Sequence, residues 1–124
     1  MNIVDSSAWL EYFSGTKNAK NFRKAIHNTK KLIVPTIVIF EVFKKILEKT
    51  DRKTAIDKIG NMTQGKIVDI DTETSLLAVN ISIRHRLPMA DSLIAACGQK
   101  YNATIWTQDS DFSGLPGIKY FPKS

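Results

Sequence analysis

The first fifteen residues, MNIVDSSAWLEYFSG (1–15), join a short apolar strand to a helix within a few positions. The β-branched, apolar run Asn2–Asp5 predicts a strand. Ser6 and Ser7 follow, and both can cap a helix that ends at Gly15. A strand that passes directly into a helix is the unit from which parallel α/β sheets are built.

The same alternation of short apolar runs and longer helical patterns continues along the chain. The predicted strands are Asn2–Asp5, Lys31–Val34, Lys66–Ile70, Thr104–Thr107 and Ile118–Phe121. Helical patterns cover 6–15, 18–27, 37–49, 52–61, 72–85 and 88–101. This alternation predicts an α/β fold around a central five-stranded parallel sheet. We expect residues 1–124 to form one domain, because the chain has a typical domain length and contains no linker or repeat.

The charge balance favours an anionic partner. The 124 residues include 18 Lys and Arg against 12 Asp and Glu, a net charge of +6. A basic balance suits nucleic acid, although many proteins are basic for no specific reason. If four acids belong to one site, 8 acids remain against 18 basic residues, a net charge of +10 elsewhere.

The sequence also argues against several classes of protein. No apolar run approaches the ~20 residues that cross a bilayer, so we expect no membrane segment. The N-terminal residues lack the basic and apolar regions of a signal peptide. Cys97 is the single cysteine, which excludes an internal disulfide and gives no sign of an oxidising compartment. We therefore expect a cytoplasmic protein.

Two acidic residues stand where predicted strands end. Asp5 closes the first strand, and Asp109 follows the strand Thr104–Thr107. Ligands of open parallel sheets bind at the carboxyl ends of the strands, so these acids would face one crevice if their strands are neighbours. A polar turn or a helix cap would also explain an acid at either position.

Two further acids, Glu41 and Asp91, lie in predicted helices. Glu41 is inside the apolar stretch IVIFEVF (37–43), which we expect to be buried on most sides. A carboxylate buried there needs a cation, a hydrogen-bond donor or a shifted pKa. Lys44 and Lys45, at i+3 and i+4, offer the alternative of a helical ion pair. Asp91 lies in the first turn of the sixth helix, where the helix dipole favours any acid.

Four segments together carry a family resemblance. They are DSS (5–7), the helical Glu41, LPMADSLIAA (87–96) and TQDSDF (107–112). In this order and context they resemble the PIN-domain family and, within it, the VapC toxins of toxin–antitoxin pairs. The resemblance covers essentially the whole chain, and there is no departure from the family pattern at the four acids.

The resemblance implies a fold, an activity and partners. PIN domains are three-layer α/β/α sandwiches whose five parallel strands lie in the order 3-2-1-4-5, and they cleave RNA with Mg²⁺ or Mn²⁺. The matching positions imply a catalytic, metal-binding quartet of Asp5, Glu41, Asp91 and Asp109. Ser6, Thr107 and Asp111 match positions that often support such a site. VapC proteins usually form homodimers and are held inactive by a cognate antitoxin.

Oxygen ligands and basic side chains are consistent with this implied activity. Mg²⁺ and Mn²⁺ prefer carboxylates, whereas zinc favours His and Cys, and His27, His85 and Cys97 show no ligand spacing. Farther from the site, basic side chains would track the RNA strand. Our candidates for RNA binding are Lys44, Lys45, Arg84 and Arg86, followed by Lys17 and Lys20. The alternative is that these charges are simply solvated.

The remaining motifs are weaker. The segment DIDTET (69–74) is similar to the DxDxT motif of haloacid-dehalogenase-type phosphatases, but Glu73 occupies the threonine position. Thr72 as a helix cap explains this segment better. We expect Trp9, Trp106 and Cys97 to be core residues.

Three functions stay open from the residues. They are a toxin endoribonuclease, a PIN nuclease of RNA processing or decay that has no antitoxin, and a non-catalytic RNA-binding protein with the same fold. Metal-dependent cleavage would separate the first two from the third. Growth arrest that is relieved by the product of an adjacent gene would separate the first from the second.

Overall fold

Five parallel strands form the centre of the molecule. In the computed structural model, which describes residues 1–123, they are β1 (Asn2–Val4), β2 (Leu32–Pro35), β3 (Lys66–Val68), β4 (Thr104–Thr107) and β5 (Ile118–Tyr120). Their order in the sheet is β3-β2-β1-β4-β5, which confirms the predicted parallel sheet and its order. The register pairs Ile3 of β1 with Ile33 on one side and with Ile105 on the other.

Helices connect the strands and cover the sheet. They are α1 (Ser6–Ser14), α2 (Arg23–His27), α3 (Thr36–Lys49), α4 (Arg52–Met62), α5 (Thr72–His85) and α6 (Met89–Lys100). The chain moves outward from β1 to β3 and then crosses back to β4, so right-handed crossovers place α1–α4 and α5–α6 on opposite faces. This is the predicted three-layer α/β/α arrangement. Within residues 1–123, no helix combines the length and the apolarity that a membrane span requires.

The core lies between the sheet and these two helical layers. The largest fully buried side chains include Trp9, Phe22 and Phe112, none of which exposes measurable surface. Trp106 is also buried, so both tryptophans are core residues, as predicted. The Cys97 thiol is buried as well, and burial raises its pKa to about 11, which suits a core thiol rather than a nucleophile.

Aspartate carboxylates cap α1, α4 and α5, and at α1 and α5 they do so in place of the hydroxyl side chains beside them. Asp5 is the N-cap of α1 and Asp71 is the N-cap of α5, and each accepts a hydrogen bond from the backbone N–H three residues on. The predicted caps Ser6, Ser7 and Thr72 were therefore wrong by one or two positions. A carboxylate both accepts this bond and interacts favourably with the helix dipole.

The segment predicted as one helix over 18–27 is divided. It forms a 3₁₀ turn, Ala19–Asn21, followed by the short α2. The Asn18 side chain accepts a hydrogen bond from Asn21 and donates one to the backbone oxygen of Phe121. Such side-chain hydrogen bonds compete with regular helix formation, which the sequence periodicity does not reveal.

Candidate active site

The two central strands carry two of the predicted site acids at their carboxyl ends. Asp5 follows β1 directly, and Asp109 comes two residues after β4. These strands are parallel neighbours with Val4 paired to Trp106, and the backbone N–H of Asp5 donates to the oxygen of Trp106 at 3.1 Å. The register therefore brings both acids to the same edge of the sheet.

One cavity of about 270 Å³ is lined by all four acids of the predicted quartet. Asp5 and Asp109 come from the strand ends, Glu41 from the middle of α3 and Asp91 from the first turn of α6. The other lining residues are Ser6, Ser7, Leu10 and Lys45. We call this space the acid cavity. The structure thus brings together the four residues that the sequence singled out, although they are widely separated along the chain.

The tightest group of acids in the described part of the chain consists of Asp91, Asp109 and Asp111. One carboxylate oxygen from each lies within 4.8 Å of the others. Asp111 was predicted only as a supporting residue, yet its 3₁₀ turn, Ser110–Phe112, places it with the closest oxygens. Asp111 is exposed, whereas Asp91 and Asp109 are partly buried.

Asp5 is held by hydrogen bonds on both carboxylate oxygens. It is 3% exposed, and it accepts from the Thr107 hydroxyl at 2.6 Å and from the Ser7 hydroxyl at 2.9 Å. Thr107 also accepts from the backbone N–H of Asp109 at 2.9 Å. The predicted supporting residue Thr107 therefore links the two strand-end acids. Ser7 was not among the predicted site residues. The only sequence signal for it is its place in the DSS segment (5–7).

Glu41 is held by Ser6, whose hydroxyl donates to its Oε1 at 2.6 Å. Neither Lys44 nor Lys45 forms an ion pair with Glu41 within residues 1–123, so that alternative is wrong. The expectation that the stretch 37–43 is buried on most sides was also wrong. Phe40 is 61% exposed, because only one face of α3 contacts the core.

Crowding of carboxylates makes the acid cavity electrostatically unfavourable. The pKa of Asp91 is raised to about 7, mainly by burial and to a smaller extent by the charges of Asp109, Asp5, Glu41 and Asp111. Burial likewise raises the pKa of Asp5 to about 6 against the opposing hydrogen bonds from Thr107 and other donors. Four acids against one basic lining residue, Lys45, leave an excess of negative charge in the cavity, and strongly shifted pKa values of this kind are typical of a functional site.

Three comparisons with known proteins bear on this geometry. The family model described as PIN domain matches residues 3–118. The chain belongs to the PIN-domain family. Curated protein sequences include no match to it.

Solved structures share the fold of this PIN domain at low sequence identity. A chain of a toxin–antitoxin complex from Klebsiella pneumoniae has a TM-score of 0.84 and 18% identity, over 99% of this chain and 100% of that one. VapC20 of Mycobacterium tuberculosis, a sarcin–ricin loop cleaving toxin, has a TM-score of 0.78 and 14% identity, with coverage of 95% and 97%. DNA-bound VapBC from Salmonella typhimurium has a TM-score of 0.76 and 14% identity, with coverage of 98% of each chain. At these identities the likeness concerns the fold.

The donor set of this PIN domain fits a hard divalent cation. Every ligand atom of the closest group is a carboxylate oxygen, and no His or Cys joins it among the described residues. Mg²⁺ and Mn²⁺ prefer such oxygens, whereas zinc sites generally include nitrogen or sulfur. Asp91 accepts no hydrogen bond from the described chain, which leaves its oxygens free for a ligand.

A second polar network, which the sequence did not predict, includes Gln108, the residue before Asp109. The Glu11 carboxylate is buried and accepts from Thr16, from the backbone of Asn18 and from Gln108. The Thr16 hydroxyl is the main reason that the pKa of Glu11 is lowered. Asn18 also donates to Gln108 at 3.0 Å, so the residue before Asp109 is fixed against α1.

Most of the basic residues predicted to bind RNA lie away from the acid cavity. Lys45 lines it, but Lys44 lies over the Phe40 ring at 6.0 Å. Arg84 and Arg86 are exposed at the end of α5, and neither lines the cavity. Lys17 and Lys20 are exposed after α1 and do not line it either.

The raised pKa of Asp91 predicts an unusual pH dependence of stability in the metal-free protein. Its folded pKa of about 7 exceeds the ordinary value of 3.8, so the folded state binds more protons between these pH values. The contribution of Asp91 to the free energy of unfolding is therefore most favourable below pH ~4. This contribution decreases as the pH rises to ~7. After allowance for solvent at this half-buried group, we expect a loss of about 2 kcal/mol.

Urea unfolding in EDTA at pH 5 and pH 8 measures this effect. Asp91→Asn, which cannot ionise, should be more stable than the wild type at pH 8, and this difference in stability should be clearly smaller at pH 5. Equal stability of the two proteins at both pH values would contradict the assigned electrostatics.

Proposed function

We propose that this PIN domain is a Mg²⁺- or Mn²⁺-dependent endoribonuclease, the toxin of a VapBC-type toxin–antitoxin pair. The observation that carries the proposal is the convergence of Asp91, Asp109 and Asp111 within 4.8 Å in the neighbourhood of Asp5 and Glu41. Membership in the PIN family supports a nuclease. The fold shared with a toxin that cleaves the sarcin–ricin loop supports RNA as the substrate.

In this proposal Asp5, Glu41, Asp91 and Asp109 are the catalytic and metal-binding residues. Asp111 joins them as a ligand or as a holder of a ligating water. When bound, the divalent cation supplies charge stabilisation at a phosphoryl group and a water of lowered pKa. The product ends are then a 5′ phosphate and a 3′ hydroxyl.

The side chains of this chain orient the carboxylates before any ligand arrives. Thr107 and Ser7 direct hydrogen bonds at Asp5, and Ser6 directs one at Glu41. A carboxylate that is already held loses less conformational entropy when it binds a cation. Lys45, at the wall of the acid cavity, provides a positive charge toward an approaching phosphodiester.

Metal-dependent cleavage of RNA is the test of this function. Purified protein is incubated with total RNA in Mn²⁺, in Mg²⁺ and in EDTA, and new 5′ ends are mapped. We expect a few discrete new ends that carry 5′ phosphates in both metals and none in EDTA. The same ends in EDTA, or no new ends in either metal, would contradict the proposal.

The proposed partner is a cognate antitoxin, met in the cytoplasm. Structures of the same fold include toxin–antitoxin complexes from Klebsiella pneumoniae and Salmonella typhimurium. Expression of the chain should arrest growth, and co-expression of the adjacent small gene should relieve the arrest. Cleavage without growth arrest would instead favour a PIN nuclease of RNA processing.

The proposal includes a homodimer that forms through α5 and the start of α6. Leu76, Val79 and Ile83 repeat at helical spacing and are 66%, 52% and 76% exposed, and Met89 nearby is 73% exposed. A continuous apolar face of this kind is typical of a protein interface. Light scattering should give the mass of a dimer for the wild type and of a monomer for Ile83→Asp. A monomeric wild type would contradict the proposed homodimer.

A further inference from the structure

A groove of about 540 Å³ lies beside the acid cavity. Its walls come from α1, α3 and α4. Ser7, Leu10 and Lys45 line both the groove and the acid cavity, so the two spaces adjoin. A chain molecule that occupies the acid cavity can therefore extend into this groove.

Four lysines line this space, and we call it the lysine groove. They are Lys45 and Lys49 on α3, Lys58 on α4 and Lys123 beyond β5. Among the described lining residues the one acid is Glu11, which is buried and already accepts hydrogen bonds from Thr16, Asn18 and Gln108. The groove is therefore strongly positive toward a ligand.

The floor of the lysine groove is apolar and includes an aromatic ring. Leu10, Phe13 and Ile46 contribute to it, and the Lys58 ammonium lies 5.5 Å from the centre of the Phe13 ring. Lysines above an apolar floor suit a ligand with anionic groups along one edge and flat apolar faces along the other. Single-stranded nucleic acid has this pattern, because its bases are free to stack. A duplex hides its bases and presents only the backbone.

We propose that the lysine groove binds the single-stranded RNA that flanks the scissile phosphate. This inference rests on the proposed function, because it takes the phosphodiester in the acid cavity as its starting point. Phosphates of the flanking nucleotides contact Lys49, Lys58 and Lys123, and bases lie toward Phe13. The volume is that of a site for a drug-sized ligand, and therefore suits about two nucleotides. The RNA path then runs along α3 and α4 rather than past Arg84 and Arg86.

Two charge-matched double variants test this path. Lys49→Gln plus Lys58→Gln removes two groove charges, one from α3 and one from α4. Lys24→Gln plus Lys53→Gln removes two exposed charges outside the groove, one from α2 and one from α4. Glutamine keeps much of the length of the side chain, and all four positions lie outside the core, so we expect both variants to fold.

The readout is fluorescence anisotropy of a labelled single-stranded RNA oligonucleotide of mixed sequence, in EDTA so that no cleavage occurs. The groove variant should bind about tenfold more weakly than the wild type, and the matched variant should bind within about twofold of it. The dependence of log K on log salt should become shallower by about 1.4 in the groove variant alone, for two lost phosphate contacts.

Each other outcome overturns the proposal. Equal weakening in both double variants would indicate a diffuse charge effect, and no weakening in the groove variant would place the RNA elsewhere. Equal affinity for duplex RNA would remove the single-strand assignment. Tighter binding of poly-glutamate than of RNA, lost in the groove variant, would assign the groove to an acidic peptide. Metal-dependent cleavage with unaltered binding in the groove variant would overturn the groove while leaving the nuclease in place.

Discussion

Asp91→Asn is expected to slow metal-dependent RNA cleavage by about 10³-fold, which corresponds to about 4 kcal/mol of transition-state stabilisation. Asp91 contributes one of the three closest carboxylate oxygens and accepts no hydrogen bond from the described chain. The amide has nearly the same shape but removes the negative charge that a cation requires. The loss should therefore appear in the rate of cleavage without damage to the fold.

The rate is measured with a labelled oligonucleotide that contains a mapped cleavage site, at saturating Mn²⁺. Asp57→Asn is the matched control, since it makes the same chemical change at an exposed position of α4 outside the acid cavity. Its rate should equal that of the wild type. An Asp91→Asn protein that cleaves within tenfold of the wild-type rate would show that this carboxylate is not part of the chemistry.

Saturating Mn²⁺ is expected to raise the melting temperature of the wild-type protein by roughly 8–10 °C. A ligand at about 100 times its dissociation constant adds about 2.7 kcal/mol to the stability of the folded state, and a domain of this size gains a few degrees per kcal/mol. The physical reason is the unfavourable charge of the half-buried site. Burial, and to a smaller extent repulsion by the neighbouring carboxylates, raises the pKa of Asp91 to about 7, and a bound cation offsets this cost.

Scanning calorimetry at pH 8, with titrated Mn²⁺ and then Mg²⁺, measures this shift. The double variant Asp5→Asn plus Asp91→Asn should melt higher than the metal-free wild type and should gain little from either metal. A wild-type melting temperature that does not respond to millimolar metal would argue against a cation site in the acid cavity.

Much of the fold follows from local sequence signals. Strand β4 has the predicted bounds, and the other strands differ by one or two residues. The alternation of strands and helices predicted a parallel sheet, but the order of its strands came from the family resemblance. One continuous helix over 18–27 was predicted wrongly. Asn18 instead forms hydrogen bonds to Gln108 and Phe121, which are far away in the chain, and sequence periodicity does not detect such contacts.

The four acids were selected from the sequence by their local context together with the family resemblance, whereas neither signal pointed to the groove. Glu41 stands out in an apolar helix, and Asp5 and Asp109 stand at strand ends. Lys49, Lys58 and Lys123, in contrast, are ordinary charged residues in separate segments. Only the packing of α1, α3 and α4 places them along one space, so local sequence could not distinguish them from solvated lysines. Asp5 also shows that a helix cap and a site acid can be the same residue.

Anomalous diffraction from crystals soaked in Mn²⁺ tests most directly whether the separated carboxylates share a cation. We predict an anomalous peak in the acid cavity, within coordination distance of Asp91 and Asp109 and adjacent to Asp5 and Glu41. A protein that shows no peak there at saturating Mn²⁺, or that binds the ion only at a different surface, would contradict the metal-dependent nuclease.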